Sequence, residues 1–313
     1  MRFKNFSEMI THARKGSPVK ISVAAAHDRH VLSALKEACQ HGIISPVLIG
    51  RENEIEALSN QINFNCNNYE IFSADSDQEA AYLAAKLADE GYTDAIMKGL
   101  VNSTPFLKSV LHADLNLKTG KLISHLSAFE IPGVDYITYM TDGGLNIAPT
   151  VSQKEQIVSN AIEFLDGFGV PSPKVVLLSA NEQINQKMPV TTEWARLTRK
   201  LSRTYPRAII EGPLPLDLAI SPESLAHKNI DSKVNGRADL LVVPTIEAGN
   251  IFAKSITYYA KGIMAGVVLG AKVPLILNSR SDSPLAKLAS IALVALSVTE
   301  QRTIENLLQI NGQ

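Results

Sequence analysis

The chain is poor in cysteine. Cys39 and Cys66 are its only two, and without metal-ligand spacing they point to neither a disulfide framework nor a thiolate metal site. Excess charge is also missing. Thirty Lys and Arg against 31 Asp and Glu leave a formal net charge of -1, which excludes a strongly basic nucleic-acid surface and leaves phosphate binding to local cations. No apolar run is long enough to span a bilayer, and the opening residues MRFKNFSEMITHARKG carry no apolar signal core. No membrane association and a cytoplasmic location are therefore expected. A GxGxxG fingerprint is absent too, so a nicotinamide dehydrogenase finds no support. His27, Asp28 and His30 lie close together, but no carboxylate cluster elsewhere completes a metal site. A polar loop with a helix cap is the expectation there, and no metal.

What is present is an ordinary globular composition, 45% hydrophobic over 313 residues. That length suits one large α/β domain or two smaller ones. Apolar runs of strand length alternate with helical patterns nearly throughout, which predicts an α/β architecture with a mainly parallel sheet. Residues 238–283 read ADLLVVPTIEAGNIFAKSITYYAKGIMAGVVLGAKVPLILNSRSDS. The run 240–243 suits a buried strand stopped by Pro244, with Asn250 where a helix N-cap belongs. A long helical pattern containing Gly262, Ala265, Gly266 and Gly270 follows, then a strand at 273–277. The polar residues of this strand–helix–strand unit, Gly249 and Asn250 at one end and 278–283 at the other, fall at carboxyl ends of strands, where open α/β sheets bind ligands.

A second loop of this kind follows the apolar run 94–97. Lys98, Gly99, Ser103 and Thr104 precede Pro105, combining a cation, a glycine and two hydroxyls with a helix start. Unpaired N–H groups and partial positive charge at such a start suit phosphate. Residues 118–130 alternate in the manner of a strand with one wet face, and Ser124 is a candidate to face the substrate. Gly143 and Gly144 are the best hinge candidates. PLPLDLAIS, with Asp217, reads as a rigid irregular loop. The chain closes in two helical patterns, 284–298 and 300–308.

The segments ADLLVVPTIEAGN, GVVLGAK and SRSDS, with DAIMKGLVNSTPFLKSVL, LLSANEQINQKMPVT and EGPLPLDLAIS upstream, resemble the phosphate acetyl/butyryltransferase family, most of all its butyryltransferase branch. The similarity covers most of the chain, in matching order. It implies acyl transfer between coenzyme A and inorganic phosphate, with coenzyme A a substrate and no cofactor, and a homodimer. It also implies two α/β lobes resembling isocitrate/isopropylmalate dehydrogenases, separated by an active-site cleft. One lobe would be 1–133 with the returning helices 284–313, the other 134–283. Ser279 and Arg280 correspond to the family's serine–arginine pair. Lys108 stands where the acetyltransferase branch tends to carry an arginine, and as a point charge it lacks that planar fork.

The base is assigned by proximity. The acetyltransferase branch places an aspartate seven residues past the serine, where this chain has Ala286. Asp282 is the nearer carboxylate. At an extended strand end Arg280 and Asp282 would share one face, the arginine to hold phosphate oxygens and the carboxylate to take the thiol proton. An ion pair at the strand end is the structural alternative. In function, the alternatives are a phosphate acetyltransferase, a metal-dependent dehydrogenase of the same architecture, and a non-catalytic coenzyme A-binding protein.

Overall fold

The structure, a computed structural model, describes residues 2–279 and 282–311. Arg280 lies outside the described residues. Two compact units divide the chain: a terminal unit of Phe6–Lys121 with the segment from Ala265 onward, and a central unit of Leu122–Met264 with the N-terminal residues up to Asn5. The sequence placed the crossings near Gly133 and Ser283. Contacts divide the chain at Lys121/Leu122 and Met264/Ala265, and residues 124–130, paired antiparallel with 138–141, fall with them in the central unit.

In chain order the terminal unit begins with α1 (Phe6–Ala13), β1 (Val19–Ala24), α2 (Arg29–Gln40), β2 (Ile44–Gly50), α3 (Glu52–Gln61), β3 (Ile71–Ser73), α4 (Asp77–Asp89), β4 (Ala95–Lys98) and α5 (Ser103–Val110). The central unit follows with β5 (Ser124–Glu130), β6 (Thr138–Thr141), α6 (Val151–Gly167), β7 (Lys174–Leu178), α7 (Pro189–Thr204), β8 (Ile209–Leu214), α8 (Leu216–Ile220), α9 (Pro222–Lys228), β9 (Leu240–Val242) and α10 (Ile246–Lys254). Strand β10 (Ile263–Leu269) leads back to the terminal unit, which closes with β11 (Leu275–Ile276) and α11 (Pro284–Asn311).

In the terminal unit the strands run in the order β3-β2-β1-β4-β11-β10, all parallel except the β10–β11 pair. Strand β1 is VKISVA, buried at every position but Lys20, as expected of a parallel strand covered on both faces. Helix α4 starts where Ser76 accepts a hydrogen bond from Glu79 N at 3.1 Å, and its alanines form the buried face against β1 and β2. After β1 the chain moves outward to β2 and β3, then returns on the other side of β1 to make β4. The sheet's topological switch point therefore lies between β1 and β4, and ligand crevices form there.

The central unit orders its strands β5-β6-β9-β7-β8, parallel apart from β5–β6. Phe129, Met140, Val176 and Leu241 lie in its core. The buried Trp194 gives its indole N–H to Leu178 O at 2.7 Å, and Arg2 clamps Asp239 at 2.8 Å. A capping box between Thr150 and Gln153 starts α6.

Several local expectations are corrected. The helical pattern after Asn250 ends at Lys254, followed by a π-helical turn at Ser255–Tyr259. Residues 263–269, IMAGVVL, form β10 because a short apolar run rich in β-branched residues suits a buried strand. Glycines read as helix-packing residues thus belong to a strand and its flanks. Strand β11 is shorter than 273–277 and pairs antiparallel with β10, so no helix joins these two. Thr245 caps α10, with Asn250 inside the helix. Strand β5 begins only at Ser124. PLPLDLAIS forms the end of β8 and then α8, where Asp217 pairs with Lys228 at 2.9 Å. The two closing helices are one, α11.

Candidate active site

Strands β1, β4 and β11 are neighbours in the terminal unit and run parallel. The segments leaving their carboxyl ends therefore gather at one edge. They are residues 25–28 after β1, 99–104 after β4, which ends at Lys98, and 277–279 with 282–283 after β11. Gly99 N donates to Ala24 O at 2.8 Å and Leu100 N to Ala25 O at 2.9 Å, which locks the second segment against the first. A Cβ at Gly99 would stand 2.2 Å from Ala25 O and 2.5 Å from Ala24 O. Only glycine lets these two backbones approach so closely.

Lys98 is buried, and its ammonium donates to Gly99 O and Val101 O, both at 3.2 Å. Its charge is spent in part on shaping its own loop. Ser103 and Thr104 are exposed in the first turn of α5, with Asn102 at the cap position. Lys108 is exposed and lines an open groove with Ser76, Tyr82 and His112 on the α4 side of the helix.

The segment after β11 is not extended at Ser279 and Asp282, contrary to the alternating arrangement read from sequence. It turns back on itself. Asp282 N donates to Ser279 O at 3.2 Å, while Asp282 Oδ2 accepts from Ser279 N at 2.8 Å and from Asn278 Nδ2 at 3.4 Å. A short aspartate side chain closes such turns readily by bonding nearby backbone. Among the described residues Oδ1 of Asp282 has no hydrogen-bond partner, and the carboxylate is half-buried. Ser279 is exposed. Helix α11 begins directly after the turn, where Ser283 Oγ accepts from Ala286 N at 3.1 Å.

Two groups support this turn: Asn278, which the sequence reading places in the polar run 278–283 without a role, and Lys287, which it passes over. Asn278 is buried and donates to Ser290 Oγ at 3.0 Å, and that hydroxyl also accepts from Gly266 N at 3.0 Å. Lys287 is buried under the turn, with its ammonium on Ser279 O at 3.1 Å and Asp282 O at 2.6 Å. The available signal was a lysine on the buried face of α11, flanked by Ala286 and Leu288.

The remaining sequence candidates belong to the central unit. Ser124 is buried and accepts from Asn160 Nδ2 at 3.0 Å, so its hydroxyl faces α6. Gly249 is buried in α10, where a Cβ would meet Gly143 Cα at 2.6 Å, a packing reason for its size. Asn250 is exposed on the same helix. The Gly143–Gly144 segment read as a hinge is pinned by the buried Asp142, whose carboxylate accepts from Gly144 N and Leu145 N at 2.9 Å, Asn146 Nδ2 at 2.6 Å and His125 N at 3.1 Å. Among the described residues no three His, Cys, Asp or Glu side chains group as a metal site, and no helix is long and apolar enough to cross a membrane.

A carboxylate and a serine held in a turn, beside a glycine-hydroxyl loop at a topological switch point, suit a group-transfer enzyme of α/β class. Residues 5–81 and 74–295 match the family described as phosphate acetyl/butaryl transferase; the chain belongs to that family and is an acyltransferase. It is 37% identical over 294 residues to a phosphate butyryltransferase of Clostridium acetobutylicum, covering 94% of this chain and 98% of that protein. The solved structure of a branched-chain phosphotransacylase from Enterococcus faecalis V583 superposes with a TM-score of 0.80 at 32% identity, covering 90% of this chain and 99% of that one. A 4-hydroxythreonine-4-phosphate dehydrogenase from Klebsiella pneumoniae matches with a TM-score of 0.58 at 12% identity, over 90% of this chain and 100% of that one. That last likeness shows a shared fold alone, and it is the dehydrogenase-like architecture anticipated from the sequence.

Proposed function

We propose that this acyltransferase moves a four-carbon acyl group, straight or branched, between coenzyme A and inorganic phosphate by direct attack of the thiolate within a ternary complex. The observation that supports it best is the closed Ser279–Asp282 turn at the switch-point edge of the terminal unit, within a chain aligned almost end to end with a phosphate butyryltransferase. A thiol with a pKa of about 8.5 is mostly protonated at neutral pH. Asp282 Oδ1 accepts that proton as the sulfur attacks the acyl phosphate. Arg280 holds the phosphate and balances the charge that develops on it, as a planar bidentate donor does best. The Ser279 hydroxyl donates to the carbonyl or phosphate oxygen. The loop at 98–104 and the first turn of α5 offer N–H groups and hydroxyls to the anionic ends of the substrates. Lys108, Ser124, Gly249 and Asn250 remain proposed coenzyme A contacts.

No metal or prosthetic group enters this reading, in which coenzyme A is a substrate and the protein works in the cytoplasm. The proposed homodimer draws support from Ile251, Tyr258 and Tyr259, which are 66%, 60% and 90% exposed on one short segment, an apolar surface a second copy can cover. Phosphate-dependent release of free thiol from acetyl-, butyryl- and isobutyryl-coenzyme A tests the substrate. A methylene in an apolar pocket discriminates by roughly 1–3 kcal/mol, so a four-carbon substrate should exceed acetyl-coenzyme A at least about tenfold in kcat/KM. Preference for the acetyl substrate would place the chain with the phosphate acetyltransferases. Release without phosphate would indicate a hydrolase.

A further inference from the structure

Lys287 is 3% exposed, yet it carries an ammonium. It is the fourth residue of α11, and its backbone N–H donates to Ser283 O at 3.1 Å in the helix's first turn. From there the side chain reaches back beneath the turn that precedes the helix. Its Nζ donates to Ser279 O at 3.1 Å and to Asp282 O at 2.6 Å. These are the two carbonyls that bracket residues 280 and 281. One cation thus ties together both ends of the segment that holds the serine and carboxylate of the proposed site.

The same ammonium lies in the field of two carboxylates, Asp282 and Asp28, the latter the cap of α2 in the segment leaving β1. Burial pushes the Lys287 ammonium down from the ordinary lysine range, while Asp282 and Asp28 pull it up. Removing a charge from water is costly unless it is paired and hydrogen-bonded. A methionine of similar length would fill this space without that cost. What methionine cannot do is donate to two backbone carbonyls at once, which an ammonium with three N–H bonds can.

We propose that Lys287 is a positioning residue for acyl transfer. Its buried ammonium staples Ser279 O to Asp282 O, fixing the Ser279 hydroxyl and the Asp282 carboxylate in the closed turn. It touches no substrate. The proposal rests on the reading of that turn as the reacting site. A catalytic group held loosely by even about 1 Å loses rate steeply, up to roughly 10²-fold, while substrate binding made elsewhere is retained.

Purified Lys287→Met, with folding checked by thermal unfolding, should show a kcat lower by about 10- to 50-fold and a butyryl-coenzyme A KM within about threefold of the parent protein. In Lys287→Ala, which leaves a gap under the turn, added propylammonium chloride should restore part of kcat, whereas propanol at equal concentration should not. A merely structural lysine would not produce amine-specific rescue. Wild-type kcat in folded Lys287→Met overturns the proposal. So does failure of both variants to fold, or a loss of folded fraction with unchanged kcat per folded site, because each assigns the lysine to stability alone. Asp282→Asn measured alongside separates the two levels. If it is inactive while Lys287→Met is normal, only the staple falls. If both turn over normally, the turn is not the reacting site.

Discussion

Asp282→Asn is expected to leave the fold intact and to lower kcat at neutral pH by about 10³-fold, within the range that a positioned proton acceptor contributes. The structure makes this substitution unusually clean. Asp282 holds its turn through Oδ2, which accepts from Ser279 N at 2.8 Å and from Asn278 Nδ2 at 3.4 Å. An asparagine carbonyl oxygen accepts the same two bonds, so the turn closes as before. What disappears is the second, proton-accepting oxygen. The lost rate should therefore return in part as pH rises toward about 8.5, where solution supplies the thiolate ready-made. If Asp282 served only the turn, the variant would run at the wild-type rate with a modest change in melting temperature. That outcome would remove Asp282 from the chemistry and leave Ser279 and Arg280 to act with another base.

The second large effect is on stability. Gly99→Ala places a Cβ 2.2 Å from Ala25 O and 2.5 Å from Ala24 O, both backbone atoms that no side-chain rotation can move. Relief requires the segment after β4 to lift from β1, breaking the bond from Gly99 N to Ala24 O. Overpacking of this severity costs about 3 kcal/mol, and the midpoint of urea unfolding should fall accordingly. Activity should be lost with it, because the 98–104 loop shifts. Gly42→Ala is the control. Its φ of +69° disfavours a side chain, but nothing lies within 4 Å of the added Cβ, so about 1 kcal/mol is expected. Equal effects at the two glycines would mean that the contact between the β1 and β4 segments is not tight.

Much of the architecture was legible because buried parallel strands read as unbroken apolar runs. VVLL within β7 and LLV at β9 illustrate this. The largest failure has a plain physical cause. IMAGVVL is apolar along its length, so its period cannot separate a strand from a buried helix, and only its partners decide. The site was half legible. Ser279 and Asp282 stand three apart in a polar run that sequence places at a strand end. Their meeting through Ser279 N and Asp282 Oδ2 needs a turn that periodicity does not encode. Lys287 was missed for the opposite reason: it sits in an apolar stretch and carries no motif, and burial alone gives it weight, as it gives Asn278 a supporting role within the polar run.

Direct transfer is tested most plainly by isotope exchange. Labelled inorganic phosphate is incubated with butyryl phosphate and the enzyme, with and without coenzyme A. Direct thiolate attack passes the acyl group straight from phosphate to sulfur, so label should enter butyryl phosphate only when coenzyme A is present. Exchange without coenzyme A would require the acyl group to rest on the protein after phosphate departs, and would contradict transfer in a ternary complex.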